Sequence, residues 1–429
     1  MDTSTQIENL YKLFLNNSSI QTDTRKLKEG DIFFALSGPN FNGNQFAKKA
    51  IELGASYAVV DQEIDVTDER IIKVDDTLLC LQALAKHHRQ QLNIPVIAIT
   101  GSNGKTTTKE LVSNVLATHF ITYTTQGNLN NHIGVPLTLL SIKSNAQIAV
   151  IEMGANHQKE IEGYCQYTLP THGLITNCGK AHLEGFGGIE GVRKGKGELY
   201  DFLRVHDGTA FIYWDYDYLQ TMSAGINHIT KYGTKEGGVI GDVLSSDPFL
   251  TVSLKNENEL SVIETQLVGD YNLPNVLCAV AVGKYFGVPA NKIKVAIEAY
   301  SPTNSRSQLI KQDTNTIILD AYNANPTSMK AAIENFAQLD ASKKVIFIGG
   351  MMELGTESIA EHQALVNLID KYKWEQVVLV GGDFSKVQHH FVYFNAANEA
   401  GEWFKNQHFE STHLLIKGSR SMQMEKVLQ

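Results

Sequence analysis

No uninterrupted apolar run in the 429 residues approaches the roughly 18 to 20 that a membrane-spanning helix needs. The opening stretch, MDTSTQIENLYKLF, lacks a basic segment followed by an apolar one, so no secretory signal is expected. The four cysteines, Cys80, Cys165, Cys178 and Cys278, are scattered and show no C-x-x-C spacing. That argues against a disulfide framework or a zinc site and fits a reducing compartment. Basic residues are not in excess: 37 Lys and Arg against 46 Asp and Glu leave a net charge of -9. Neither a nucleic-acid surface nor a membrane surface is advertised, and an anionic substrate must be held by local groups. Internal repeats, low-complexity tracts and heptad arrays are also missing. These absences leave a soluble, cytoplasmic protein as the expectation.

What is present is the composition of a globular chain, 43% hydrophobic and 19% charged, at a length that suggests two to three domains. The expected fold class is α/β in three parts. Residues 1–92 form a small α/β unit, with apolar runs DIFFAL and ASYAVVD around a short helix, AKKAIELGA, that ends near Gly54. Residues 93–300 alternate buried-type strands (PVIAIT, QIAVIEMG, HGLITNCG) with helical stretches, the rhythm of a parallel, doubly wound sheet. Residues 301–429 repeat that rhythm in a Rossmann-like way through TIILDAY, KVIFIGG, QVVLVGG and HLLIKGS. In open α/β sheets ligands gather at the carboxyl ends of such strands.

One strand end carries a specific signal. PVIAIT runs into Gly101-Ser102-Asn103-Gly104-Lys105-Thr106-Thr107 and then a helical pattern. Glycines let backbone N–H groups turn toward phosphate oxygens, and a helix N-terminus adds partial positive charge. Lys105 supplies a point charge for the β- and γ-phosphates, and the Thr106 hydroxyl is a hard oxygen for Mg²⁺. The spacing departs from the general P-loop, because Ile99 stands where that pattern has its first glycine. The bland alternative is a Gly-rich turn without a ligand; the Lys-Thr pair in this context favours phosphate.

Three further residues belong with the loop. Glu152, in Ile-Glu-Met-Gly-Ala, ends a central strand, where a carboxylate can hold Mg²⁺. His182 follows the strand HGLITN in Asn177-Cys178-Gly179-Lys180-Ala181-His182, and Lys196 lies in Arg-Lys-Gly-Lys-Gly-Glu. Taken singly, they read as a rim charge, a surface histidine and a charged helical face.

Together these motifs resemble the Mur ligases, a family of ATP-dependent amide ligases that shares the short G-x-x-G-K-T loop with folylpolyglutamate-type enzymes. The resemblance covers nearly the whole chain. It implies ATP and two Mg²⁺ ions as cofactors, with Thr106, Glu152, His182 and Lys196 as the metal set, and Lys196 carbamylated. The chemistry is coherent: an unmodified lysine is a cation that repels magnesium, whereas a carbamate is an anion with two oxygens. Lys105, Glu152, His182 and Lys196 are then the catalytic residues.

The resemblance also distributes the substrate contacts. Thr22, Asp23, Thr24 and Arg25, followed by FFALSGPNFNGNQF, are similar to the family's uridine-diphosphate-binding domain. Asn42-Gly43-Asn44 stands where the family often has Asp-Gly-His. Asn128 and Asn131, in GNLNNHIGVP, match the Asn-rich loop near the muramyl peptide, although such loops are often only turns. Asn272 and Asn275, in GDYNLPN, match the adenine-contacting segment, with Tyr271 replacing the usual His; helix capping is their ordinary alternative. Arg306 takes an interdomain position, with Ser305 in place of the usual glycine. Asp320 reaches the ATP ribose, Asn323 and Asn325 reach phosphate or an incoming dipeptide, and Lys417 and Arg420 hold an anionic group. These C-terminal segments are most similar to the members that add D-alanyl-D-alanine to UDP-N-acetylmuramoyl-tripeptide, which names the expected substrates. The D-Y-A-H-x-P and Asp-Asn-Pro-Arg-like segments of the members that add the third amino acid are not seen.

The implied reaction forms an acyl phosphate on the substrate carboxylate, which the dipeptide amine then attacks, with closure of the C-terminal domain over ATP. A monomer is the expected assembly. Three other readings stay open on the sequence: a different ligase of the same superfamily, a P-loop ATPase that is not a ligase, and a nucleotide-dependent binding protein.

Overall fold

The computed structural model describes residues 3–17, 19–65, 68–255, 259–303 and 305–429. Contacts divide the chain into two compact units. The first holds Met1–Ala98, Phe120–Gly154 and Glu160–His172, and the second Ile99–His119, Ala155–Lys159 and Gly173–Gln429.

In the first unit, the strands Ile20–Gln21, Ile32–Phe34, Tyr57–Val60 and Ile71–Lys73 pair in parallel in that order. Their buried face, with Phe33, Ala35, Ala58 and Val60, packs on Ala47, Ala50 and Ile51 of the helix Ala47–Glu52. That helix stops in a Schellman motif: Ala55 N–H donates to Ala50 O (3.0 Å) and Gly54 N–H to Ile51 O (3.1 Å), with Gly54 at φ +100°. The sequence pattern placed the stop at this glycine. The same unit contains the helices Thr77–Gln91, Gly134–Ser141 and Glu160–Thr168 and the parallel pair Thr122–Thr124 with Ile148–Glu152.

The strand Val96–Thr100 runs covalently from the first unit into the second and is buried along its whole length. In the second unit the helices Lys105–Ala117, Ile189–Val205 and Leu273–Tyr285 accompany the parallel strands Thr209–Tyr213, His228–Gly233 and Val239–Ser246. Here the sheet departs from the all-parallel expectation. Val239–Ser246, Phe249–Leu254 and Val262–Val268 continue it as an antiparallel meander. Phe249–Leu254 alternates half-buried and buried residues, as a strand covered on one face does.

The C-terminal sheet contains the four strands read from the sequence at its centre and two further strands at its edges. Its strand order is Gln308–Gln312, Asn315–Asp320, His413–Lys417, Lys344–Gly349, Gln376–Val380 and Val392–Phe394. All neighbours are parallel except the first pair. Ile317, Phe347, Val378, Leu414 and Ile416 form its core with Ala400 and Met424. Asp320 and Lys417 are register partners at the carboxyl ends of adjacent strands. All four cysteines are free and buried, and burial pushes the Cys80, Cys178 and Cys278 thiols up to about 12. Among the described residues no helix is long and apolar enough to cross a membrane.

Candidate functional site

The phosphate loop is built from its surroundings inward. Gly101 sits at φ +140°, and a Cβ there would lie 2.0 Å from Thr176 Oγ1. Gly104 sits at φ +79°, and its Cβ would lie 2.8 Å from Asn275 Oδ1, so both positions need glycine. Ser102 N–H donates to Asn177 O (2.8 Å), Asn103 N–H to Asn177 Oδ1 (3.0 Å), and Asn177 Nδ2 returns a bond to Asn103 O (3.0 Å). The outer side of the loop is thereby fixed. The helix Lys105–Ala117 begins at once, so its first-turn N–H groups are the ones a phosphate would meet. Lys105 Nζ curls back over the loop, 2.7 Å from Gly101 O and 3.2 Å from Ser102 O. Thr106 is buried and Thr107 half-buried on that first turn.

Asn272 and Asn275 stand behind the loop. Asn275 Nδ2 donates to Asn272 Oδ1 (2.9 Å), Asn272 Nδ2 to Val268 O (2.9 Å), and Asn275 Oδ1 accepts from Thr108 Oγ1 (3.0 Å). Asn272 occupies the cap position of the helix Leu273–Tyr285 but makes no side-chain capping bond. The pair therefore braces the start of the phosphate-loop helix. Tyr271 is turned toward the C-terminal block, its hydroxyl 3.0 Å from Ser307 Oγ, and burial pushes that hydroxyl well above its usual range.

His182 occupies the N-cap position of the short helix Leu183–Phe186 in the left-handed backbone region, φ +53°, without a side-chain capping bond. Its Nδ1 is ion-paired with Glu353 Oε2, and this contact holds the Glu353 carboxyl below its usual range. Lys196, on the helix Ile189–Val205, is 1% exposed; Nζ donates to Ala155 O (2.9 Å) and lies 4.9 Å from the Phe186 ring centre. Glu152 belongs to the first unit and ends the fully buried strand Ile148–Glu152. Its Oε1 accepts from Asn130 Nδ2 (2.7 Å), whereas Oε2 is buried with no hydrogen-bond partner. An orphaned, buried carboxylate oxygen is a hard anionic donor, and it fits Mg²⁺. Among the described residues no three His, Cys, Asp or Glu side chains gather as a ready-made metal cage.

The C-terminal residues make three kinds of contact. Lys417, 2% exposed, pairs with Asp320 at 2.5 Å, and Ser307 N–H donates to Asp320 Oδ1 (3.3 Å). Arg306 lies 3.5 Å over the Tyr322 ring; Asn304 beside it is outside the described residues. Asn325 caps the helix Pro326–Gln338 in a capping box with Ser328 and donates from Nδ2 to Asn103 Oδ1 (2.7 Å). Its amide is thus committed to protein partners, as a link between the phosphate loop and the C-terminal block. Lys180 adds to that link through Thr327 Oγ1 (3.0 Å) and Glu361 (2.5 Å). Asn323 Oδ1 accepts from Ala324 N–H (2.9 Å), and Arg420 pairs with Glu425 (3.0 Å) on the surface.

In the N-terminal block, Asp23 caps the turn Thr24–Lys26 and grips Arg25 through both oxygens, which holds its carboxyl at about 2. Thr22 precedes this turn. Asn44, at the point of departure from the family pattern, is buried and exchanges hydrogen bonds with Asp61 (2.8 and 3.0 Å). Asn131 Oδ1 accepts from Ile133 and Gly134 N–H (3.1 and 2.8 Å) and so shapes the turn in which Asn128 also lies. Asn130 and Asn177 were not singled out from the sequence, although each falls inside a motif that was; Glu353 lies just beyond the run KVIFIGG.

Three family profiles match along the chain: the Mur ligase family catalytic domain over residues 17–89, the Mur ligase middle domain over 99–283 and the Mur ligase glutamate ligase domain over 305–420. The UDP-N-acetylmuramoyl-tripeptide--D-alanyl-D-alanine ligase of Bacillus subtilis (strain 168) is 34% identical over 424 residues, covering 96% of this chain and 92% of that protein. The chain belongs to the Mur ligase family.

A ligase of the same description from Escherichia coli (strain K12) is also 34% identical, over 431 residues, with 96% and 93% covered. Among solved structures, MurF from Acinetobacter baumannii superimposes with a TM-score of 0.86 at 32% identity, covering 96% of this chain and 92% of that one. This Mur ligase therefore has the N-terminal, central and C-terminal domain architecture of its relatives.

Proposed function

We propose that this Mur ligase joins D-alanyl-D-alanine to UDP-N-acetylmuramoyl-tripeptide at the expense of ATP, giving the UDP-muramoyl-pentapeptide of cytoplasmic peptidoglycan precursor synthesis. The observation that carries this reading is the 34% identity over 96% of the chain to ligases of that description. The phosphate loop and the buried Glu152 carboxylate supply the parts such a reaction needs. Residues 1–92 take the uridine diphosphate end through Thr22–Arg25, 93–300 bind ATP, and 301–429 receive the dipeptide.

The first-turn N–H groups of the helix Lys105–Ala117 and the Lys105 ammonium receive the β- and γ-phosphates. Thr106, Glu152, His182 and Lys196, the last as a carbamate, are the residues that would hold Mg²⁺. Ions held there would neutralise charge on the transferring phosphoryl group. The tripeptide carboxylate attacks the γ-phosphorus and ADP leaves. The resulting acyl phosphate is then attacked by the dipeptide amine, and inorganic phosphate departs. Asn103, Asn325, Lys180 and Thr327 join the loop to the C-terminal block, which excludes water from the acyl phosphate. His182 must part from Glu353 or share it when a cation is bound.

A substrate panel tests this reading. Phosphate release is expected only when UDP-muramoyl-tripeptide and D-alanyl-D-alanine are both present. Release with UDP-muramoyl-dipeptide and a free diamino acid, or with a folate and glutamate, would reassign the chain within the superfamily.

A further inference from the structure

We propose that Asn130 is the positioning residue for the Glu152 carboxylate, holding one oxygen so that the other is presented to a divalent cation. The ligase reading enters only in identifying that cation as the one that accompanies ATP.

Asn130 is tied to the strand end at two points. Its Nδ2 donates to Glu152 Oε1 (2.7 Å), and its main-chain oxygen accepts from Gly154 N–H (2.7 Å), two residues beyond. A Cβ on Gly154 would lie 3.0 Å from each atom of the Asn130 amide, so the close seat of that side chain depends on the glycine. The main chain of Glu152 is anchored as well, since its N–H donates to the buried Thr125 Oγ1 (2.9 Å). The residue is 1% exposed, the Asn130 amide holds Oε1, and Oε2 is left without a hydrogen-bond partner.

A buried carboxylate with one bare oxygen is desolvated without compensation until an opposite charge arrives. The donor on Oε1 is an amide, and that choice has a consequence. A lysine or arginine there would neutralise the carboxylate, whereas an amide dipole orients it and leaves its charge for the cation. Hydrogen-bonding a metal carboxylate from behind in this way fixes its direction, and losing such a partner commonly costs 10- to 100-fold in metal affinity.

The full-length protein is titrated with Mn²⁺ by electron paramagnetic resonance, alone and with a non-hydrolysable ATP analogue. Wild type is compared with Glu152→Gln, Asn130→Ala and Asn130→Ser. Serine suits the same turn but is too short to reach Glu152, so it replaces the alanine variant if that one misfolds. Glu152→Gln is expected to lose the Glu152-dependent Mn²⁺ site. The Asn130 variants are expected to weaken Mn²⁺ about 10-fold or more, while ADP binding in EDTA changes less than about twofold. Mn²⁺ affinity within about twofold of wild type, or an equal loss of Mn²⁺ and of metal-free ADP, overturns the proposal. A wild-type protein that binds Mn²⁺ through Glu152 yet makes no amide would sink the ligase reading and leave this one standing.

Discussion

In the proposed reaction, Lys105 is the residue on which phosphoryl transfer turns. Its ammonium rests on two carbonyls of its own loop, a seat it can give up to a phosphate. Lys105→Met is expected to lower phosphate release on the order of 100- to 1000-fold with little change in melting temperature; turnover within tenfold of wild type would contradict its role. Lys417 makes a different prediction, because it is buried against Asp320 at 2.5 Å. Lys417→Met leaves that carboxylate without its cation and is expected to cost about 3 kcal/mol in urea unfolding. Adding Asp320→Asn is expected to recover part of the loss, and no recovery would mean that the pair is not the cause.

At this scale the sequence was readable where neighbours in the chain act together. The run from Gly101 to Thr107 reads as a phosphate loop because its glycines, lysine and threonine are contiguous. Asn130 and Glu152 are 22 residues apart, and Asn103 and Asn177 are 74 apart. A hydrogen bond between such positions leaves no spacing signal. Asn130 also lay among other asparagines that read equally well.

At the scale of elements, the four inner C-terminal strands were legible because each is a continuous, largely buried apolar run, whereas the half-exposed edge strands Gln308–Gln312 and Val392–Phe394 were not read. The antiparallel meander from Val239 to Val268 was not. Its strands bury one face only, and register shifts interrupt the alternation near Val243 and Phe249. The helix Pro326–Gln338 shows an element whose end serves two purposes. Asn325 completes its capping box and also holds Asn103. Asn325→Ala is expected to cost about 1 kcal/mol of helix capping. In hydrogen exchange, the first-turn amides should exchange about fivefold faster; unchanged protection there would show that the cap contributes nothing.

At the scale of the whole molecule, stability is expected to depend on pH through His172. Burial holds this imidazole at about 4, below its usual 6.5. Between those values the unfolded chain binds a proton that the folded chain refuses. Stability is therefore full above about pH 6.5 and falls as the pH drops toward 4, by about 3 kcal/mol from this group. His172→Gln should flatten that part of the curve in thermal melts, and an unchanged slope would remove His172 as its source. Ligation also requires three substrates to meet on one chain, so scattering profiles should contract when an ATP analogue and both partner substrates are added.

The central claim is the identity of the bond made. Purified protein given ATP, Mg²⁺, UDP-N-acetylmuramoyl-tripeptide and D-alanyl-D-alanine is followed by mass spectrometry alongside phosphate release. The account predicts UDP-muramoyl-pentapeptide, one phosphate for each amide formed, and neither product when either substrate is left out. Phosphate released without the dipeptide, or no pentapeptide with both substrates present, would contradict it.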